Sequence, residues 1–105
     1  MKRFKRQLPF LKSVLQEANS MKREEMLKHA NADQINAMSE VVLNLLKNKI
    51  PLKPELMSKL RPHKNTLREL SKRKNSVKKR REVLMSQKGS GLFRGLNEVV
   101  CQCTR

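Results

Sequence analysis

The first 88 residues of this chain contain no glycine, and its three glycines lie at positions 89, 91 and 95. Tight β-hairpin turns depend on glycine because they place residues in the left-handed backbone region. A chain of 105 residues with so few such turns is poorly suited to an antiparallel sheet. The sequence therefore predicts an all-α protein, a small bundle of four to six helices.

Apolar residues recur at helical spacing in the first half of the chain. The clearest pattern begins at Asn31, which is followed three residues later by Gln34, a variant of the capping box that opens helices. Pro51 stops this helix. Its apolar face comprises Ile35, Met38, Val41, Val42, Leu45 and Leu46. A face this apolar must pack against partners, so we expect the helix at the centre of the bundle.

The composition also predicts the character of the core. The chain has three Phe and neither Trp nor Tyr, so the core is expected to be aliphatic. The methionines at positions 26, 38 and 57 fall on predicted apolar faces. We interpret them as core-filling residues, with an adaptable binding groove as the alternative.

Prolines mark the starts of further helices. Pro9 and Pro54 stand where they can occupy a first turn, because residues there need no N–H partner. Pro62 opens the next region, and neither proline nor glycine interrupts residues 63–88. This region predicts one long basic helix, or two helices if Asn75 and Ser76 cap the second.

The chain carries 25 Lys and Arg against nine Asp and Glu, a formal net charge of +16. Residues 53–105 hold fifteen of the basic residues and only four of the acidic ones. A field of this sign attracts polyanions, of which nucleic acid is the commonest and an anionic membrane surface the second candidate. A solvated surface that only maintains solubility is the remaining alternative.

The charge is most concentrated between Lys72 and Arg81, where seven of ten residues are Lys or Arg. This run has no aromatic residue to stack on bases and few amides near it to read base edges, so we expect phosphate contacts without sequence preference. The spacing also suits a nuclear localisation signal, which would make an import receptor a partner. The predicted nucleic-acid-binding residues are Lys64, Arg68, Lys72, Arg73, Lys74, Lys78, Lys79, Arg80 and Arg81.

Catalytic and metal sites find little support in the sequence. The acidic residues are scattered, and most lie three or four positions from a Lys or Arg, as surface ion pairs on helices do. Neither a phosphate-cradling glycine loop nor a nucleophile–base pattern is present, so we predict no enzyme activity and no cofactor. Cys101 and Cys103 do not form a familiar zinc-ligand spacing with His29 or His63. We interpret them as free thiols, with disulfide formation between chains as the alternative.

The composition changes at the end of the basic region. Residues 89–105 start with Gly-Ser-Gly and continue with amphipathic spacing over too few residues for a stable isolated helix. We therefore predict a flexibly linked tail that either docks on a partner surface or is disordered. No apolar run approaches the ~20 residues of a membrane span, and the basic start lacks the apolar segment of a secretory signal. The expected location is intracellular, in the nucleus or in a virion, with membrane contact by residues 91–105 as an alternative.

A short motif at this junction resembles the cleavage pattern of adenovirus-type maturation proteases, which is an apolar residue or Gln, any residue, Gly, any residue, then Gly. The matching residues are Gln87, Gly89, Ser90 and Gly91. The resemblance implies cleavage between Ser90 and Gly91, and a plain linker is the alternative.

The chain as a whole is similar to small basic proteins of adintoviruses and Polinton-like transposons, which are related to adenoviruses. The resemblance is carried by RQLPFL at residues 6–11, by RPHKxxLRxL at 61–70 and by KKRRxxLxxQKG at 78–89, where x is any residue. It implies a virion-core or genome-associated protein. The chain departs from this pattern after Gly91, where Arg94, Glu98 and two cysteines replace a more uniformly apolar segment.

Four segments are predicted: a basic arm over 1–7, a helical bundle over 8–61, a basic helix over 62–88 packed on or extending from the bundle, and the tail over 89–105. The predicted function is sequence-independent binding of nucleic acid, with DNA as the expected polymer, in genome packaging by a virus or mobile element. The alternatives are a protein-interaction module with a nuclear localisation signal and a precursor of a membrane-active basic peptide. Apolar helix faces left uncovered would join copies of the chain into a homo-oligomer.

Overall fold

The computed structural model describes residues 2–47, 49–50, 52–72, 74–87 and 91–103, without the side chains of Lys2 and Cys103. Every regular element in these ranges is helical, which confirms the all-α prediction. The helices are α1 (Lys2–Arg6), α2 (Leu8–Gln16), α3 (Ser20–Lys28), α4 (Ala32–Leu46), α5 (Pro54–Leu60), α6 (Lys64–Ser71), α7 (Val77–Met85) and α8 (Gly91–Cys103). A 3-10 turn, Arg61–His63, joins α5 to α6. The helices are therefore more numerous and shorter than predicted.

Helix α4 lies at the centre of the bundle, as its apolar face predicts. The capping box is formed, because Asn31 Oδ1 accepts the backbone N–H of Gln34 while Gln34 Oε1 accepts that of Asn31. Helices α1, α2, α6 and α7 all pack against α4. Its fully covered apolar side chains each stabilise the fold by about 1.5–3 kcal/mol; they include Ile35, Met38, Val41 and Val42.

The basic arm predicted at the N-terminus is a short helix packed on α4. Phe4 of α1 is buried in the core. Arg3 Nε and Gln7 Nε2 donate to the two carboxylate oxygens of Asp33 at 3.0 and 2.9 Å, and Arg6 lies 3.8 Å away. The hydrogen bond from Gln7, with help from Arg3 and Arg6, lowers the pKa of Asp33. An ionised Asp33 in the first turn of α4 thereby fastens the arm to the bundle.

The basic region forms two helices, as in the second of the predicted alternatives. Residues 72–76 separate α6 from α7, and Ser76 caps α7 by accepting the backbone N–H of Lys79 at 3.1 Å. The break allows α6 and α7 to pack on each other and on α4. Both helices can therefore bury an apolar face on the central helix, which one straight rod could not do along its whole length.

Of the two alternatives for the tail, docking is confirmed and disorder is wrong for residues 91–103, which form α8 in the core. This helix packs against α2 and α5. Tertiary burial supplies the stability that so short a helix lacks alone. Gly95 allows the close approach to α5, because a methyl group there would lie 2.5 Å from Leu60 Cδ2. The side chains that α8 buries, each at most 1% exposed, are Leu92, Phe93, Leu96, Val99 and Val100.

The side chain of Arg23, on α3, is buried beside α8. It is only 2% exposed, its Nη1 donates to the carbonyl oxygen of Glu17 at 3.0 Å, and its guanidinium lies 4.1 Å from the ring centre of Phe93. Burial lowers the pKa of Arg23, and the carboxylate of Glu17 acts in the opposite direction. This cation over an aromatic face joins α3 to α8 within the core.

The methionines divide between core and surface. Met38 is fully buried and Met26 packs against the core, as predicted. Met57 is 50% exposed, so its assignment to the core is wrong.

Candidate nucleic-acid interface

The turn between α6 and α7 is organised by the carboxylate of Glu69. Lys72 Nζ donates to Glu69 Oε1 at 3.0 Å, and Asn75 Nδ2 donates to Glu69 Oε2 at 3.1 Å and to its carbonyl oxygen at 2.9 Å. The hydrogen bonds from Lys72 and Asn75 lower the pKa of Glu69. Glu69 is therefore ionised at neutral pH, and its bonds to Lys72 and Asn75 hold the turn against the end of α6.

Most of the predicted cations around this turn face solvent. We name Arg68, Lys72, Lys74, Lys78 and Lys79 the basic corner. All five are exposed, and Lys72 alone of them forms an ion pair within the described part of the chain. Arg73, also predicted to bind nucleic acid, lies outside the described residues. The basic corner thus presents positive charge that internal carboxylates leave largely uncompensated.

Arg80 and Arg81 differ from the basic corner because both are half-buried and bind neutral acceptors. Arg80 Nη1 donates to Ser39 Oγ and its Nη2 to Asn36 Oδ1, both at 2.7 Å. Arg81 Nη2 donates to the carbonyl oxygen of Ala30 at 2.6 Å. These bonds connect α7 to α4 and to the turn before α4. The two arginines therefore hold the basic corner on the bundle as well as adding to its charge.

Arg80 carries a charge that no described carboxylate neutralises through an ion pair. Burial lowers the pKa of Arg80, and the positive charge of Arg3 lowers it further. An arginine nonetheless stays protonated at neutral pH. A half-buried cation without a counter-ion is unfavourable, so this position favours the approach of an anion.

Arg80 and Arg3 both line a cleft of about 380 Å³ between α1, α4, α6 and α7. Sequence reasoning did not include Arg3 in the site, because only the packing of α1 on α4 brings the two arginines together. The remaining lining residues are Asn36, Ser39, Glu40, Leu43 and Ser71.

A second cleft, of about 390 Å³, is lined mainly by apolar side chains. It lies where the end of α4 meets α5 and α6, and we name it the apolar groove. Its two charged lining residues, Arg61 and Lys64, are both basic. Lys64, predicted to bind nucleic acid, is thus exposed at the edge of this groove. The apolar lining comprises Leu45, Leu46, Leu52, Met57, Leu60 and Leu67.

The predicted protease site is described only in part. Gly89 and Ser90 lie outside the described residues. Gln87 follows α7, where its Nε2 donates to the carbonyl oxygen of Val83 at 3.1 Å. Gly91 is the first residue of α8. The bond predicted to be cut therefore directly precedes a helix whose apolar face is buried.

Among the described residues, no three His, Cys, Asp or Glu side chains converge to form a metal site. The described helices also fall short of the length and apolarity that crossing a bilayer requires. Comparison of the chain with protein-family models, with curated proteins and with solved structures finds no match in any of the three.

Proposed function

We propose that this protein binds the phosphate backbone of double-stranded DNA, without sequence preference, through the basic corner. The observation that carries the proposal is the exposure of four cations that form no ion pair with a described carboxylate: Arg68, Lys74, Lys78 and Lys79. Of these, Lys79 acts on the carboxylate of Glu69 through the weaker, longer-range attraction of its charge. Such cations gain free energy by displacing counterions from phosphates. Residues 72–81 contain no aromatic side chain, and their one amide, Asn75, donates to Glu69, which supports backbone contact over base reading.

The proposal extends to packaging of a viral or mobile-element genome. This extension rests on the resemblance to the small basic proteins of adintoviruses and Polinton-like transposons. A packaging protein has to neutralise long stretches of nucleic acid whatever their sequence, and a net charge of +16 suits that task.

A salt titration of duplex binding tests the proposal. If about six cations meet phosphates, log K should fall with log salt with a slope of about −5. Replacing Lys74, Lys78 and Lys79 together by Gln should make that slope less negative by roughly 2.7. Fluorescence anisotropy with two duplexes of unrelated sequence measures both values.

The matched control replaces Lys47, Lys49 and Lys53 by Gln. These lysines are also exposed, and they lie in the segment that joins α4 to α5, outside the basic corner. The control removes the same formal charge and should keep nearly the wild-type slope. A site at the basic corner would be contradicted if both variants reduced the salt slope equally. A strong preference of the protein for one of the two duplexes would contradict sequence-independent binding there.

A second candidate function is binding of a partner protein, with the basic run serving nuclear import. The apolar groove favours it, because the half-exposed Met57 offers an adaptable apolar contact beside Arg61 and Lys64. An amphipathic helix could lay its apolar face into this groove. The candidate predicts partner binding that is insensitive to salt and lost in Met57→Glu, together with no retardation of duplexes in a gel.

The membrane-active alternative finds less support in the fold. The apolar side chains of α8 that would contact lipid are buried in the core. If a peptide of residues 91–105 caused leakage of anionic liposomes, that result would support the membrane-active alternative.

A further inference from the structure

We propose that the cleft between α1, α4, α6 and α7 binds a phosphate group between the guanidinium groups of Arg3 and Arg80. The phosphate group has two possible sources. One is a backbone phosphate of bound nucleic acid, and for this source the inference rests on the proposed function. A free phosphate compound is the other source of the same chemistry.

Arg80 is oriented by its neighbours without being neutralised. Its partners, Ser39 Oγ and Asn36 Oδ1, are neutral acceptors at 2.7 Å. Each terminal nitrogen of a guanidinium carries two N–H groups, so these two bonds leave a second donor on each nitrogen. The side chain is thereby held in one orientation with its full charge available to a ligand in the cleft.

Arg3 supplies the second cation. Its Nε donates to Asp33 Oδ1 at 3.0 Å, whereas its Nη atoms have no hydrogen-bond partner among the described residues. Arg3 also lines the cleft and is close enough to Arg80 to disfavour its charged form. An oxyanion between the two guanidinium groups would relieve this repulsion and accept charge-assisted hydrogen bonds from both.

The rest of the lining contributes one further donor and one opposing charge. Asn36 accepts from Arg80 through Oδ1, which leaves its Nδ2 group without a partner in the described chain. Glu40 also lines the cleft and forms no ion pair with a described residue. A carboxylate there repels an anion, so Glu40 limits the affinity and gives the inference a specific test.

The test is a calorimetric titration of the full chain with inorganic phosphate and with pyrophosphate. Arg3→Gln should weaken binding by about tenfold, because one charge-assisted contact is lost. Glu40→Gln should strengthen it by about fivefold through loss of repulsion. Arg94→Gln, which removes an exposed cation from α8, is the control and should change neither affinity.

If these residues had only a structural role, the two substitutions would not change phosphate affinity in opposite directions. Parallel changes in duplex affinity identify the ligand as a backbone phosphate, whereas changes confined to phosphate and pyrophosphate identify a free phosphate compound. The cleft site is overturned if none of the three ligands responds to the two substitutions in opposite directions. That result would leave the salt titration of the basic corner, and hence the proposed function, standing.

Discussion

The four adjacent cations Lys78 to Arg81 occupy two kinds of environment on α7. Lys78 and Lys79 are exposed, whereas Arg80 and Arg81 are half-buried and hydrogen-bond to α4 and the turn before it. Successive residues on a helix point about 100° apart, so four adjacent cations necessarily face different surroundings. Arginine suits the half-buried positions because its planar group can satisfy several acceptors while its charge stays at the protein surface.

At the residue scale we expect Gly95→Ala to have opposite effects in two backgrounds. In the wild-type chain the added methyl would overlap Leu60 Cδ2, and overpacking of this kind costs about 1–3 kcal/mol. Alanine's advantage over glycine within a helix, about 1 kcal/mol, offsets only part of this cost. In a Leu60→Ala background the methyl group at position 95 has no Leu60 side chain to overlap, so Gly95→Ala should raise the free energy of unfolding.

Urea unfolding of the four chains measures the coupling between the two positions. A coupling of about 1–3 kcal/mol is expected. An identical effect of Gly95→Ala in both backgrounds would show that α8 does not approach α5 as closely as described.

At the scale of elements, the helices of this protein depend on one another. α8 has only 13 residues and α7 only nine, and isolated helices of such lengths are marginal in water. Each is held by packing, with α8 between α2 and α5, and α7 against α3, α4 and α6. A cut before Gly91 would therefore leave α8 bound by its buried apolar face.

We expect a chain that ends at Gln87 to fail to fold. It lacks five apolar side chains of α8, each of which stabilises the fold by about 1.5–3 kcal/mol. Their sum is comparable to the total stability of a small domain, about 5–15 kcal/mol. Far-ultraviolet circular dichroism and thermal melting check this, with a chain ending at Cys103 as the control. A cooperative melt of the shorter chain would contradict the role of α8 in the core.

At the scale of the whole molecule, the fold is compact despite its charge. The radius of gyration is 12.4 Å, close to the value of about 13 Å expected for a globular chain of 100 residues. Self-repulsion at +16 opposes this compactness. The carboxylates that hold positive segments in place, Asp33 for α1 and Glu69 for the turn after α6, therefore matter to the stability of the whole.

We expect the free energy of unfolding to fall as the pH drops from about 5 to about 2. Asp33 and Glu69 have pKa values lowered in the folded state, so the unfolded chain binds more protons across this range. The two carboxylates contribute fully to the free energy of unfolding above the ordinary carboxyl pKa of about 4. Their contribution is lost as the pH falls through their lowered folded-state pKa values. Urea unfolding at a series of pH values should show a flatter profile for Asp33→Asn combined with Glu69→Gln.

The control for this experiment replaces Glu24 and Glu55 by Gln. Both are exposed, and neither forms an ion pair with a described residue. This variant should retain the wild-type dependence on pH. A wild-type profile in the Asp33 and Glu69 variant would mean that these carboxylates do not hold the two segments.

Local patterns in the sequence were sufficient to predict the helical class and several of its details. The capping box at Asn31, the apolar face of α4 and the start of α5 at Pro54 all follow from contacts within a few residues. The concentration of positive charge at the candidate site was also predictable, because Lys72 to Arg81 are adjacent in the sequence. Whether that surface binds nucleic acid stays a prediction.

Tertiary structure decided what local patterns could not. Residues 91–103 read as a tail because a short amphipathic helix is unstable alone, yet their apolar side chains complete the core between α2 and α5. Arg3 and Arg80 meet in one cleft only because α1 and α7 both pack on α4. Hydrogen bonds and helix periodicity act between near neighbours in the chain, whereas burial and charge proximity depend on distances in space.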